Sequence, residues 1–326
     1  MTNEIADRGS PIWNGMVNQN SPGKIAIVGS GAVGCYYGGM LAHAGHDVHF
    51  LMRADLDTVR RDGLVIFTKG SEVRLPRVQC AGTTEEIGPV DLVLISIKST
   101  ANRELERLLP PLIDAHTALL TLQNGLGNET FLSERWGAER VMGALCFVCI
   151  NRTAPGVIRH LDHGTISIGG FRRPVSARVR AIAEAFNAAD VEAHAVDDLD
   201  GERWRKLLWN IPFNGLSIAA RANVAEVLAD AGLHALARSL MDEALDAARR
   251  LGHEISDSYA DWQIERSDSM GSYRPSSMID FENGRPVEVE AIWGEPLRQG
   301  LAAGAKMPRL ELLHTIIRHM AERRAK

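Results

Sequence analysis

The run Lys24-Ile25-Ala26-Ile27-Val28-Gly29-Ser30-Gly31-Ala32-Val33-Gly34 constrains this chain more than any other segment. A short β-branched stretch ends in glycines and passes directly into an apolar stretch from Val33 to Ala44, which is the pattern of strand, tight turn and helix. Gly45 is a helix stop and His46–Met52 reads as a second strand, so the segment is a βαβ unit. In that context the glycine spacing acquires a meaning. Gly29 allows the turn, Gly31 lets a phosphate approach the backbone, and Gly34 lets helix and strand pack closely, while the first helical N–H groups face an anion. Gly29, Ser30, Gly31, Ala32, Val33 and Gly34 are therefore the expected dinucleotide-binding turn. A ligand-free glycine turn is the plainer alternative, and the placement inside a βαβ unit weighs against it.

The end of the second strand discriminates between nucleotides. An acidic residue there would grip a ribose 2′-hydroxyl, whereas this chain reads Leu51-Met52-Arg53, and a cation suits a 2′-phosphate. Arg53 points to NADP(H). Asp55, two residues on, keeps NAD(H) open as the competing choice.

Further along, Asp91–Ile97 and Thr117–Leu122 are nearly continuous apolar runs, as expected of parallel strands covered on both faces. Val141–Ile150, Val157–Leu161 and Thr165–Gly169 read as further strands, with Arg173–Ala189 helical. From Asp198 the apolar residues fall at three-to-four spacing through Leu199–Ala220, Val224–Leu251, Tyr259–Ser267 and Val287–Met320. The expected fold is α/β, with a Rossmann-type doubly wound sheet in the amino-terminal domain and an all-α carboxy-terminal domain. A length of 326 residues suits two domains, with an arm at 1–23, a nucleotide-binding domain at 24–197 and a helical substrate domain at 198–326.

Composition then excludes whole classes. Thirty-six Lys and Arg against 41 Asp and Glu leave a net charge of -5, which disfavours a nucleic-acid partner. No run approaches the roughly 18 apolar residues of a membrane span, and residues 1–23 lack the apolar core of a signal peptide. Four scattered cysteines, at 35, 80, 146 and 149, fit a reducing compartment, so a cytoplasmic location is expected.

The segment from Arg203 to Asn214 places Lys206, Asn210 and Asn214 at steps of four, within an arc of about 80° on a helix and over about 12 Å of its axis. Polar groups among Leu, Trp, Ile and Phe must find partners or line a ligand site. Pro212 lies inside this helix and cannot donate to the Leu208 carbonyl, so a kink between Asn210 and Asn214 is expected. Lys98 and Asn124 end or follow strands at the carboxyl edge, where doubly wound sheets bind ligands.

Taken together, the GxGAxG turn, the Lys of Ser96-Ile97-Lys98, the Asn of Gln123-Asn124-Gly125, the WRKLLWNIPFN segment, Ser276-Ser277-Met278 and Gly284-Arg285-Pro286-Val287-Glu288 resemble the ketopantoate reductase (2-dehydropantoate 2-reductase) family. The resemblance runs from about Lys24 to the end. It implies NADPH-dependent reduction of ketopantoate or a similar small branched 2-keto acid, in the service of pantothenate biosynthesis. Lys206 corresponds to the catalytic proton donor, and a lysine, charged at neutral pH, suits that task. Asn124, Asn210, Asn214 and Ser277 match substrate-binding positions, while Lys98, Asn124 and Glu288 match cofactor contacts, Glu288 also being catalytic beside Lys206 in an orienting role. The interval from Ser277 to Glu288 is shorter than the resemblance leads one to expect.

Plainer roles remain open for Asn124 as a turn residue, for Ser277 as a helix cap and for Glu288 as a helix-entry acid. Two alternative functions compete: an opine-type or 3-hydroxyacid dehydrogenase on the same scaffold, and a non-catalytic NADP(H) sensor. No metal is expected, because Cys146 and Cys149 lie three apart in a strand and face opposite sides. His43, His46, His160 and His163 are given no catalytic role, the last two flanking an expected turn. Apolar helices such as Leu233–Leu251 offer a surface for a homodimer.

Overall fold

The computed structural model describes residues 22–324, so the arm expected over 1–23 lies, apart from Pro22 and Gly23, outside the described residues. Ten strands form one sheet: β1 (Ile25–Val28), β2 (Val48–Leu51), β3 (Leu64–Thr68), β4 (Ser71–Leu75), β5 (Gln79–Ala81), β6 (Leu92–Ile95), β7 (Ala118–Thr121), β8 (Val141–Ala154), β9 (Val157–Gly170) and β10 (Ala193–Ala195). Their spatial order is β4-β3-β9-β8-β7-β6-β1-β2-β5, with β10 beside β9. From β5 to β8 the pairs are all parallel. The order reverses between β1 and β6, which is where a doubly wound sheet opens a crevice at the strands' carboxyl ends. β8 and β9 are antiparallel and β9 pairs β3 in parallel, so the sheet is mixed beyond β8.

The apolar runs explain the centre of this sheet. Every residue of β1, β6 and β7 is buried, because one core packs against one face and a second core, with Leu105, Leu109, Leu112 and Leu132, against the other. The expected strands Val157–Leu161 and Thr165–Gly169 are one strand. His163 and Gly164 adopt positive φ within it, and the pairing with β8 shifts register there, so the expected turn is a bulge. Four strands, β3, β4, β5 and β10, were absent from the sequence expectation. β4 buries only Val73 and Leu75, and β5 and β10 have three residues each, too few to display a period.

The helical half begins at Leu199, where the Asp198 side chain accepts from Gly201 N at 2.8 Å. The helix Leu199–Ala220 continues through Pro212. The ring removes the donor for the Leu208 carbonyl, and the neighbouring Ile211 carbonyl accepts from Trp293 Nε1 at 2.9 Å. The helix carries both amides through Pro212, with the Asn210 and Asn214 side chains 3.3 Å apart. Two long expected helices are divided. Val224–Leu251 becomes Val224–Ala229 and Ala231–Arg250, since Asp230 turns extended and caps the second helix through Leu233 N. Val287–Met320 becomes a π-helical turn Glu290–Gly294, a helix Glu295–Ala302 and, after Gly304 at positive φ, a helix Pro308–Arg324.

Ala231–Arg250 buries Ala237, Leu240, Met241, Ala244, Leu245, Ala247 and Ala248 in the helical core. The apolar face expected to serve as a dimer surface is thus consumed inside the chain, leaving Leu236 and Leu251 exposed. No helix among the described residues is long and apolar enough to cross a membrane.

Candidate active site

The glycine turn is built as a phosphate cradle. Gly29 has φ +111°, and a Cβ there would lie 2.3 Å from Ile97 N, while one at Gly34 would lie 2.3 Å from Gly29 O and 2.4 Å from Ser96 Oγ. Both positions require glycine. A Cβ at Gly31 would meet nothing, so this backbone faces open space. Gly31 also caps the helix Ala32–His43 without a side-chain hydrogen bond, which leaves the first-turn N–H groups of Ala32, Val33 and Gly34 available to an anion. Ser30 is turned toward the second strand, its Oγ donating to Leu51 O at 2.7 Å. Ser96 Oγ donates to Gly29 O at 2.6 Å and ties the turn to the end of β6. The residues present fit a dinucleotide pyrophosphate.

Just past β2, Arg53 is exposed and no carboxylate of the described residues lies within ion-pair distance of it. Asp55 is buried and engaged by Arg152 Nη1 at 2.6 Å. The two candidate nucleotide selectors therefore differ in availability: the cation is free and the carboxylate is taken.

The second cluster joins the sheet's carboxyl edge to the helical half. Lys206 Nζ donates to Asn124 Oδ1 at 2.7 Å and to Cys146 O at 2.9 Å. Burial drives its pKa down to about 8; the Arg203 charge adds to this and the Glu288 charge opposes it. On the same helix face, Asn210 and Asn214 are buried, and Asn214 Oδ1 accepts from Ser277 N at 3.1 Å. Ser277 is buried within a helix, Ser276–Glu282, whose first turn is thereby held against the polar stripe.

Glu288 closes the cluster from the other side. Its Oε1 accepts from Ser99 N at 2.9 Å and its Oε2 lies 3.4 Å from Lys98 Nζ. Lys98 also meets Asp280 Oδ2 at 2.7 Å. Burial alone would lower the Lys98 pKa, but Glu288 and Asp280 outweigh it and hold the ammonium above its ordinary value. Lys98, Asn124, Lys206, Asn210, Asn214, Ser277 and Glu288 are thus brought into one cluster, while the glycine turn, itself anchored to Ser96, stands on the same strand edge.

Sequence reasoning passed over several residues of this site. Asp280 is buried between Lys98 and Arg285, the latter at 2.8 Å; its place one helical turn after Ser277 was the available signal. The loop carrying Asn124 rests on amides: Gln123 Nε2 donates to Asn102 Oδ1, Asn102 Nδ2 to Asn128 Oδ1, and Asn128 Nδ2 to Asn124 O, at 2.7, 3.0 and 3.0 Å. Nothing local marks these as partners. Gly125 is needed because the loop lies against the π-helical turn, where a Cβ would be 2.2 Å from Ala291 O. Cys146 and Cys149 have thiol pKa values raised by burial, Cys146 to about 11, so these thiols stay protonated.

The family description "Ketopantoate reductase PanE/ApbA" matches residues 25–173 and its carboxy-terminal counterpart matches residues 198–321. A 2-dehydropantoate 2-reductase of a Nostoc species is 37% identical over 89% of this chain and 93% of its own length. A crystal structure of 2-dehydropantoate 2-reductase from Geobacter metallireducens is 44% identical and superposes with a TM-score of 0.88 over 91% of this chain and 99% of the other. D-mandelate dehydrogenase, solved with NADH and anilino(oxo)acetate, superposes at a TM-score of 0.82 over 92% of this chain and 99% of its own, but at 23% identity it shows the fold alone. With both halves matched over the span that carries the glycine turn and the lysine–asparagine stripe, this chain belongs to the ketopantoate reductase family of oxidoreductases.

Proposed function

We propose that this protein reduces ketopantoate, or a similar small branched 2-keto acid, to the 2-hydroxy acid with NADPH. The observation that carries the proposal is the position of Lys206 Nζ, held by Asn124 Oδ1 and Cys146 O at the head of a stripe of buried amides. When bound, the nicotinamide supplies a hydride to the carbonyl carbon. Lys206 gives its proton to the carbonyl oxygen and, while still charged, stabilises the developing alkoxide. A pKa of about 8 leaves most of it protonated at neutral pH and makes it a readier donor than an ordinary lysine.

Asn210, Asn214 and Ser277 offer the donors and acceptors for the substrate's carboxylate and hydroxyl. Asn124 orients Lys206. Glu288, fixed by Ser99 N and Lys98, sets the charge on the nucleotide side of Lys206. Free Arg53 and the engagement of Asp55 by Arg152 support a 2′-phosphate, hence NADP(H) over NAD(H). All four cysteines are free thiols, in keeping with work in the cytoplasm.

The test is the loss of reduced-nicotinamide absorbance with NADPH or NADH across a panel of 2-keto acids that differ in branching and charge. Preferred turnover of ketopantoate with NADPH is expected. Binding of NADPH with no acid reduced would overturn the reading in favour of a nucleotide sensor.

A further inference from the structure

One buried ion pair stands directly behind the Lys206 cluster. Arg203, three residues before Lys206 on the helix Leu199–Ala220, is paired with Glu129 of the helix Asn128–Trp136, and each side chain is only 3% exposed. Burying two ions is costly unless their remaining hydrogen bonds are directed. Here they are. Arg203 Nη1 donates to the carbonyls of Gln123 at 3.1 Å and Gly125 at 3.3 Å, the two residues flanking Asn124. The Asn124 carbonyl is held in turn by Asn128, next to Glu129. Gly143 of β8 makes the room: a Cβ there would lie 2.1 Å from Glu129 Oε1 and 2.8 Å from Arg203 Nη2.

We propose that Arg203, anchored by Glu129, is a positioning residue for the reduction, clasping the backbone on both sides of Asn124 so that the Asn124 amide oxygen stays on Lys206 Nζ. This rests on Lys206 being the proton donor. A fork of guanidinium donors can span two carbonyls and a carboxylate at once, which a single ammonium cannot. The guanidinium also acts on Lys206 through space. Burial is the larger influence in lowering the Lys206 pKa; the Arg203 charge acts in the same direction, against Glu288.

Two variants separate clasp from charge. Arg203→Lys keeps the charge and loses the fork; Arg203→Met combined with Glu129→Gln removes both charges without stranding a buried ion. Both should fold, and both should lower kcat by on the order of tenfold to a hundredfold, as expected when a reacting group is misplaced by about 1 Å. The KM for NADPH should change far less. The alkaline limb of kcat/KM should stay in place for Arg203→Lys and move to higher pH in the double variant, because the Arg203 charge that lowers the Lys206 pKa has gone and the loss of the more weakly acting Glu129 charge opposes this only in part. Side-chain NMR of 15N-lysine-labelled protein, with Lys206 assigned through Lys206→Arg, reads the same titration without turnover. It therefore remains decisive even if no keto acid is reduced and the functional reading fails. Retention of wild-type kcat by both variants, or an unmoved Lys206 titration in the double variant, overturns the proposal.

Discussion

The glycine turn after β1 and the cluster around Lys206 lie on the same strand edge but are made of different material. The turn is backbone: Gly29 and Gly34 leave no room for a Cβ, Gly31 faces open space, and the whole turn spans six consecutive residues. The cluster is side chain. Lys98, Asn124, Lys206, Ser277 and Glu288 come from five separated segments and meet only because the helical half docks on the sheet. A backbone site tolerates little substitution but needs few partners. A side-chain site requires every supporting contact to be in place.

Substitutions should pull these regions apart. Gly34→Ala is expected to have the largest effect on the turn, since its Cβ would sit 2.3 Å from Gly29 O and 2.4 Å from Ser96 Oγ. Overpacking of this kind costs roughly 1–3 kcal/mol, so calorimetry should show a lower Tm together with lost NADPH binding. Asn214→Ala should leave nucleotide binding intact and raise the KM of the keto acid by about tenfold or more, because it removes both the amide proposed to hold substrate and the acceptor for the buried Ser277 N–H. If nucleotide binding weakens equally, the two regions are not separable. Arg53→Ala should have the smallest effect. Arg53 is exposed, so Tm should not move, while the KM for NADPH should rise relative to that for NADH by about tenfold, the scale of one charge-assisted hydrogen bond. An equal rise for both nucleotides would remove Arg53 from the 2′-phosphate.

This contrast also explains what the sequence made legible. The turn, the central strands and the 206–210–214 stripe each declare themselves within a dozen residues, through glycine spacing, apolar runs or helical periodicity. Pro212 stands inside that stripe without ending the helix, and the Asn210 and Asn214 amides stay within 3.3 Å of each other. The His160–His163 turn is a bulge because strand pairing with β8, a tertiary contact, overrides local turn signals. The Arg203–Glu129 pair, the Asp280 carboxylate and the Gln123–Asn102–Asn128 amides escaped for a common reason. Each becomes meaningful only beside a partner distant in sequence, as with Arg203 and Glu129, 74 residues apart. The family resemblance supplied the roles of Ser277 and Glu288, which composition and spacing alone left open between ligand contact and helix cap.

The central claim is that Lys206 delivers the proton. It is tested most directly by measuring kcat/KM against pH, and NADPH affinity by titration, for the wild type and Lys206→Ala. With its pKa pushed down to about 8, Lys206 must be protonated to act, so wild-type kcat/KM should be level below that pH and fall as pH rises through it. The variant should lose on the order of 10²–10⁴ in kcat/KM, the usual contribution of a positioned acid, with NADPH affinity nearly unchanged and the limb near pH 8 gone. A variant that keeps wild-type turnover, or that retains the same alkaline limb, would contradict the account.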